Sequence, residues 1–345
     1  MLLDLPPFDH IDAATIEDAV SSLQKIGKKA RVIAGGSDLL GLIKDEVKGP
    51  EMDIPDVLVN IKTIPEIQRI TLDREGNVRI GAAVTLSDLE NDALIQSRYS
   101  SLPQAARQIG TTQIRNVGTL GGNLCQRPRC MYFRHPHFLC FKKGGGRCFA
   151  VTGEHRDYYS IMNYGKCVMA HPSDMAPALI ALHSKAVLAG PGGEREIPLA
   201  EFFLGDGRPE ETVLTSAEFL KYIRIPWHMG NIHQCFLKYR IRQSTDFALS
   251  SVAATVRISD GFCEEATVVL GGISPIPHVV AGMEDLLKGK RLCEEIIARA
   301  AEKALEGAHP LRFNRYKVDL TKALIRRALN FILESESREG RAIDR

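Results

Sequence analysis

The spacing of apolar and polar positions changes period several times along the chain, and each change marks an element. Ile16, Val20 and Leu23 fall on one helical face, with Thr15 and Asp18 placed as a capping box ahead of them and Gly27 as the stop. Residues 31–34 form a short apolar strand that runs into Gly35-Gly36-Ser37-Asp38, and residues 56–61 form another. Residues 70–72 and 78–84 read as a hairpin about Glu75-Gly76-Asn77. Residues 87–95, with Ser87 as the N-cap, and residues 102–109 read as helices. Further on, residues 176–182 make a short helix, residues 186–197 a hairpin about Gly190-Pro191-Gly192-Gly193, and residues 223–226 a strand. The strands 250–258 and 263–270 meet at Asp260-Gly261, a strong hairpin signal. Two apolar stripes then predict helices, one through Ile296, Ile297, Ala300, Ala301, Ala304 and Leu305, the other through Leu320, Ala323, Leu324, Ala328, Leu329 and Ile332. The charged residues 335–345 read as a frayed tail. Strands and helices mix without a regular βαβ repeat, and no GxGxxG stands at a strand–helix junction, which argues against a Rossmann domain.

At 345 residues the chain has room for two or three domains, and 44% hydrophobic with 25% charged residues is ordinary globular composition. The formal net charge of +2 makes no electrostatic case for nucleic acid or an anionic membrane surface. No apolar run approaches the ~20 residues of a membrane span, and the start lacks the basic and apolar regions of a signal peptide. The expected compartment is the cytoplasm.

Candidate chemistry concentrates between Gly118 and Asp174. Gly118-Thr119-Leu120-Gly121-Gly122-Asn123 is a glycine-dense turn whose backbone N–H groups could approach an anionic ligand without Cβ atoms in the way. Ala34-Gly35-Gly36-Ser37-Asp38-Leu39, about eighty residues earlier, has the same character. Alone, either motif reads as a tight turn; together they suit a long ligand clamped from two sides, such as FAD. Five of the eight cysteines (Cys125, Cys130, Cys140, Cys148 and Cys167) crowd into 43 positions, and local clusters in a large cytoplasmic chain more often ligate metal than form disulfides. Cys235, Cys263 and Cys293 read as small buried hydrophobes. Zinc is the rival to an iron–sulfur cluster; its ligands usually include close CxxC pairs, which are missing here, although His135 and His137 stand near.

Ala34 to Leu39, then Ile114-Arg115-Asn116-Val117 leading into Gly118 to Asn123, then Pro172-Ser173-Asp174, resemble the FAD-binding subunits of the molybdenum hydroxylases, the family of xanthine dehydrogenase, carbon monoxide dehydrogenase and 4-hydroxybenzoyl-CoA reductase. The resemblance runs over nearly the whole chain. It implies an α+β fold with a two-part FAD-binding domain over 1–228, carrying an insert at about 125–168, and a smaller C-terminal domain over 233–334 built from an antiparallel sheet and helices. It also implies that Ile33, Ala34, Gly35, Gly36, Ser37, Asp38 and Leu39, with Thr111, Asn116, Gly118, Thr119, Gly121, Gly122 and Asn123, wrap the FAD pyrophosphate and ribityl chain. Asp174, Lys238 and Phe247 would stand beside the flavin, Phe247 offering a stacking face where several relatives have tyrosine.

The insert of about forty residues resembles that of 4-hydroxybenzoyl-CoA reductase and of certain bacterial aldehyde oxidoreductases, where four cysteines hold a 4Fe-4S cluster. By that resemblance Cys130, Cys140, Cys148 and Cys167 are the ligands and Cys125 is the spare. Basic neighbours (Arg129, Lys142, Lys143, Arg147 and Lys166) would offset the cluster's charge. The implied function is electron relay. A partner subunit would carry the molybdopterin centre and another the 2Fe-2S clusters, and this chain would connect them to an external carrier such as ferredoxin or NAD. The rivals are a stand-alone FAD oxidoreductase with its own substrate site, for which the sequence offers no acid–base constellation, and a zinc-binding assembly module.

Overall fold

A computed structural model describes residues 5–162, 165–205, 208–227 and 232–343, with side chains as far as 336. Three sheets organise it. Strands β1 (Asp9–Asp12), β2 (Ala30–Ile33) and β3 (Val57–Asn60) form a parallel sheet in the order β1-β3-β2. Helix Ile16–Ile26 packs on it through Ile16, Ala19 and Leu23. Both capping-box bonds form: the Asp18 N–H donates to Thr15 Oγ1 and the Thr15 N–H to Asp18 Oδ2, each 3.1 Å. The predicted strand 31–34 is present, one residue earlier, whereas β1, a polar Asp-His-Ile-Asp, has no periodic signal and exists because β3 pairs with it.

The second sheet joins β4 (Ile70–Leu72), β5 (Val78–Gly81), β6 (Lys185–Gly190), β7 (Gly193–Pro198) and β8 (Phe219–Ile225), all antiparallel, in the order β4-β5-β8-β6-β7. The third is the antiparallel order β12-β11-β10-β9, from β9 (Ile232–Tyr239), β10 (Ser250–Ser259), β11 (Phe262–Gly271) and β12 (His278–Val279). All three expected hairpins, at Glu75-Gly76-Asn77, at Gly190–Gly193 and at Asp260-Gly261, close as the turn residues dictate.

β10 is buried on both faces. Val252, Ala254 and Val256 face the helices Glu294–Lys303 and Tyr316–Ile343, while Ala253 faces the core of the second sheet. Between the two sheets lies helix Met175–Ala181, every residue of it buried. The residue before it, Asp174, is therefore carried into the interior.

Three local expectations are corrected. Residues 87–95 are not one helix capped by Ser87. Thr85 Oγ1 accepts from the Asp88 N–H (3.0 Å) to start Leu86–Asn91, and Asp92 takes an extended backbone and accepts from the Ile95 N–H (2.9 Å) to start Ala93–Arg98. The stretch 335–343 continues helix Tyr316–Ile343. Cys293 is exposed, because it occupies the N-cap position of Glu294–Lys303 while Ile297, Ala300 and Ala301 form that helix's inner face. Cys235 and Cys263 are buried.

Candidate functional site: a glycine-walled cleft beside a cysteine pocket

The two glycine-rich loops meet back to back. A Cβ on Gly35 would lie 2.1 Å from the Val117 carbonyl oxygen, so only glycine permits this approach, and Gly36 needs its φ of +69° to turn the chain after β2. Together with β9 and the segment that follows it, they enclose a cleft with about 890 Å³ of empty space, open to solvent on one side.

Of the residues expected at the dinucleotide, Ser37, Asp38, Gly118, Thr119, Gly122, Asn123, Asp174, Lys238 and Phe247 line this cleft. The others stand behind or beside its wall. Ile33 ends β2, Ala34, Gly35 and Gly36 form the turn, and Leu39 opens helix Leu39–Lys44. Thr111 caps helix Thr112–Val117, on which Asn116 is exposed, and Gly121 packs against Ala82. The cleft is also lined by Leu86, Ile109, Gly110, Ile114, Gln126, Arg129, Pro172, Thr245 and Asp246, which no motif singled out as ligand contacts. Several of these flank the motifs, so adjacency was their only signal.

Buried charges in the cleft are paired. Lys238 Nζ lies 2.6 Å from Asp174 Oδ2 with both side chains buried, and it also donates to the Gln108 carbonyl at 3.0 Å. Burial still raises the Asp174 carboxyl above the usual carboxylate range, and Lys238 opposes that rise. Burial works to raise Asp38 as well, but Arg129 (2.8 Å), Arg134 (2.6 Å) and the Arg127 N–H (2.8 Å) outweigh it and hold that carboxyl low. Burial pulls Arg129 down to about 10. Asp246 accepts from the Arg242 backbone N–H (2.7 Å) and guanidinium (2.6 Å), which closes the turn that presents Phe247. Within that turn Thr245 takes a φ of +63°, a strained value for a β-branched residue.

His171 is fully buried, its ring 4.6 Å from that of Phe203, and burial drops it to about 3. The neutral ring accepts from the Ser173 N–H at 3.4 Å, and Ser173 Oγ donates to Asn123 Oδ1 at 2.6 Å. This ties the Pro-Ser-Asp turn to the second glycine loop.

Cys130, Cys140, Cys148 and Cys167 line one small pocket, with Pro128, Phe133, Phe149, Ala150 and Met169 among its apolar walls. Cys125 does not line it and packs against the main core, where burial pushes its thiol up to about 12. The Cys167 thiol donates to the Cys148 sulfur and brings Cys148 down to about 6, while Cys167 is raised by the same contact. Among the described residues no set of three or more His, Cys, Asp or Glu is arranged to hold a metal ion. His135 and His137 are exposed and face each other with ring centroids 5.2 Å apart.

The expected basic neighbours are largely committed elsewhere: Arg129 to Asp38, and Lys142 to Glu211 (3.3 Å) and the Arg208 and Glu210 carbonyls. Arg147 and Lys166 stack over Phe149 and Phe141. Lys143, fully buried, donates to the His135 carbonyl at 2.7 Å; burial lowers its ammonium, and the Cys140 and Cys130 sulfurs act to restore it. The segment has little regular structure, and its small core of Phe133, Ala150, Tyr159 and Val168 leans on Leu42, Val47 and Met52 beyond the first glycine loop. Its far end is held by Lys317, buried, whose Nζ donates to the carbonyls of Asp157, Tyr159 and Gly272.

Residues 6–228 match the model of the FAD binding domain in molybdopterin dehydrogenase. The chain belongs to this flavoprotein family. Residues 236–332 match the CO dehydrogenase flavoprotein C-terminal domain. The aldehyde oxidoreductase FAD-binding subunit PaoB of Escherichia coli (strain K12) is 32% identical over 320 residues, covering 91% of this chain and 95% of that one. The carbon monoxide dehydrogenase medium chain of Hydrogenophaga pseudoflava is 28% identical over 330 residues, covering 94% and 96%. A solved structure of carbon monoxide dehydrogenase from H. pseudoflava superposes with a TM-score of 0.75 at 25% identity over 95% of this chain and 97% of that one. As a flavoprotein of this family the chain binds FAD and is an oxidoreductase subunit. The cleft fits the cofactor by its own features, namely a cradle only glycine permits, hydroxyls at Ser37, Thr119 and Thr245, and a ring at Phe247. Among the described residues no helix is long and apolar enough to cross a membrane.

Proposed function

We propose that this chain is the electron-relay subunit of a heteromeric molybdenum hydroxylase and carries two redox centres, FAD in the cleft and a 4Fe-4S cluster on Cys130, Cys140, Cys148 and Cys167. The observation that carries the second centre is the convergence of those four cysteines, and not Cys125, on one pocket whose wall continues into the FAD cleft: Arg129 lines the cleft and Cys130 the pocket. Bound FAD supplies the conversion between paired and single electrons.

The chain's own residues do the binding and shielding. The glycine loops bring backbone N–H groups and the Ser37 and Thr119 hydroxyls to the phosphates and ribityl chain, with Ile33 to Leu39, Thr111, Asn116 and Gly121 holding the loop shape. Asp174 and Lys238 keep a neutral, dry pair at the cleft's inner end, and Phe247 gives the flavin a face to stack on. The aromatic walls of the cysteine pocket exclude water, and two buried lysines, Lys142 in the pocket wall and Lys143 beside Cys140 and Cys130, supply cations near the sulfurs. Partner subunits bearing molybdopterin and 2Fe-2S clusters complete the path, and an external carrier such as ferredoxin or NAD terminates it.

The anaerobically purified chain should show a flavin spectrum together with about four irons and four labile sulfides per chain. Cys148→Ser should lose the iron and keep the flavin. Flavin without iron or sulfide in the parent chain would remove the second centre and leave a plain FAD subunit.

A further inference from the structure

We propose that Arg129, delivered by the cysteine segment, is a residue of the FAD site that contacts the flavin ring and positions Phe247. This rests on the FAD reading above and names a contact within that site. Four observations converge. The Arg129 side chain lines the cleft and is 19% exposed. Its guanidinium is clamped from two sides, with Nη1 2.8 Å from Asp38 Oδ1 and Nη2 donating to Gln126 Oε1 at 2.8 Å, so its position is fixed before any ligand arrives. Its Cζ lies 4.4 Å from the Phe247 ring centroid, while Tyr158 meets the same ring edge-on at 5.9 Å. Its Nε is buried without a hydrogen-bond partner.

A buried cationic N–H without an acceptor is costly, and such groups recur where a ligand completes the bonding. The guanidinium is held rigidly by its two outer nitrogens, so it meets a ligand in the cleft without reordering. Because the guanidinium lies against Phe247, the aromatic surface of the cleft, the part of the cofactor that it meets is the flavin ring. Reduction places negative charge on that ring, so a fixed guanidinium beside it favours the reduced form. The residue immediately after Arg129 is Cys130, so the backbone that shapes the cysteine pocket also sets this contact.

The test uses the full chain with iron counted in every sample. Arg129→Met should raise the FAD dissociation constant about tenfold, in keeping with loss of one charge-assisted hydrogen bond, shift the visible flavin bands, and move the flavin midpoint potential to a more negative value, with iron unchanged. Arg129→Lys, which keeps a cation for Asp38, should fold and recover part of the potential but not the stacking on Phe247. Arg129→Met combined with Phe247→Leu should cost less than the sum of the two changes. FAD affinity within about twofold of the parent and an unchanged potential in both variants would overturn the proposal. So would a loss of affinity with spectrum and potential unchanged, which would put Arg129 on the phosphates. A parent chain that binds no FAD would instead remove the underlying reading.

Discussion

The two pockets of this molecule are built in opposite ways. The glycine-walled cleft draws its walls from residues as far apart as Ser37 and Phe247, each presented by a sheet, a capped helix or a pinned turn, and its charges are already matched: Asp38 with Arg129 and Arg134, Asp174 with Lys238, Asp246 with Arg242. The cysteine pocket is made almost wholly by residues 128–169, has hardly any regular structure, and sets four thiols among aromatic rings with two buried lysines, Lys142 and Lys143, nearby. A site assembled from distant elements inherits its shape from the fold. A site made by one irregular segment owes much of its order to whatever its ligands bind. The elements that frame each pocket should therefore respond differently to substitution.

The largest effect is expected where the cleft's buried charges are split. Lys238→Met leaves Asp174 buried without its cation, and should cost about 3–5 kcal/mol of stability in urea unfolding, while Lys238→Met with Asp174→Leu should recover most of it. If the single and double variants lose equally, the pair is not what holds the inner end of the cleft.

A smaller, pH-dependent effect belongs to His171. Its folded value near 3 lies below the ordinary 6.5, so between those limits the unfolded chain holds a proton that the folded chain does not. Stability therefore falls as pH drops through this window, by about 1.4 kcal/mol per unit, or about 2 kcal/mol between pH 6.5 and 5. His171→Asn keeps an acceptor for the Ser173 N–H and should flatten that limb. An unchanged acid profile would assign the loss to other groups.

The smallest effect sharpens the comparison at its edge. Thr85→Ala removes the cap of Leu86–Asn91, the helix whose Leu86 lines the cleft, and should cost about 1 kcal/mol in thermal unfolding with iron content untouched. Loss of iron in that variant would show the two pockets to be one cooperative unit.

What the sequence determined by itself is what short-range physics controls. The capping box at Thr15 and Asp18, the Asp260-Gly261 hairpin, the apolar stripes of the last helices and the glycine turns are each specified by a few neighbouring residues, and each forms where its pattern stands. Only the tertiary structure decided matters that depend on distant partners. β1 is a strand because β3 offers it a ladder, although its four residues have no strand pattern. Thr85 rather than Ser87 caps its helix because the chain leaves β5 and reaches Thr85 in an extended conformation. Cys293 faces solvent while Cys235 and Cys263 are buried, a difference that residue type cannot encode. Arg129 reads locally as a cation beside a cysteine, yet Asp38, ninety-one positions earlier, turns it into the cleft. Local sequence reports conformational preference over a turn or two, whereas the direction of a buried side chain is set by which groups the fold brings within hydrogen-bonding reach, and here those groups lie in three different sheets' worth of chain.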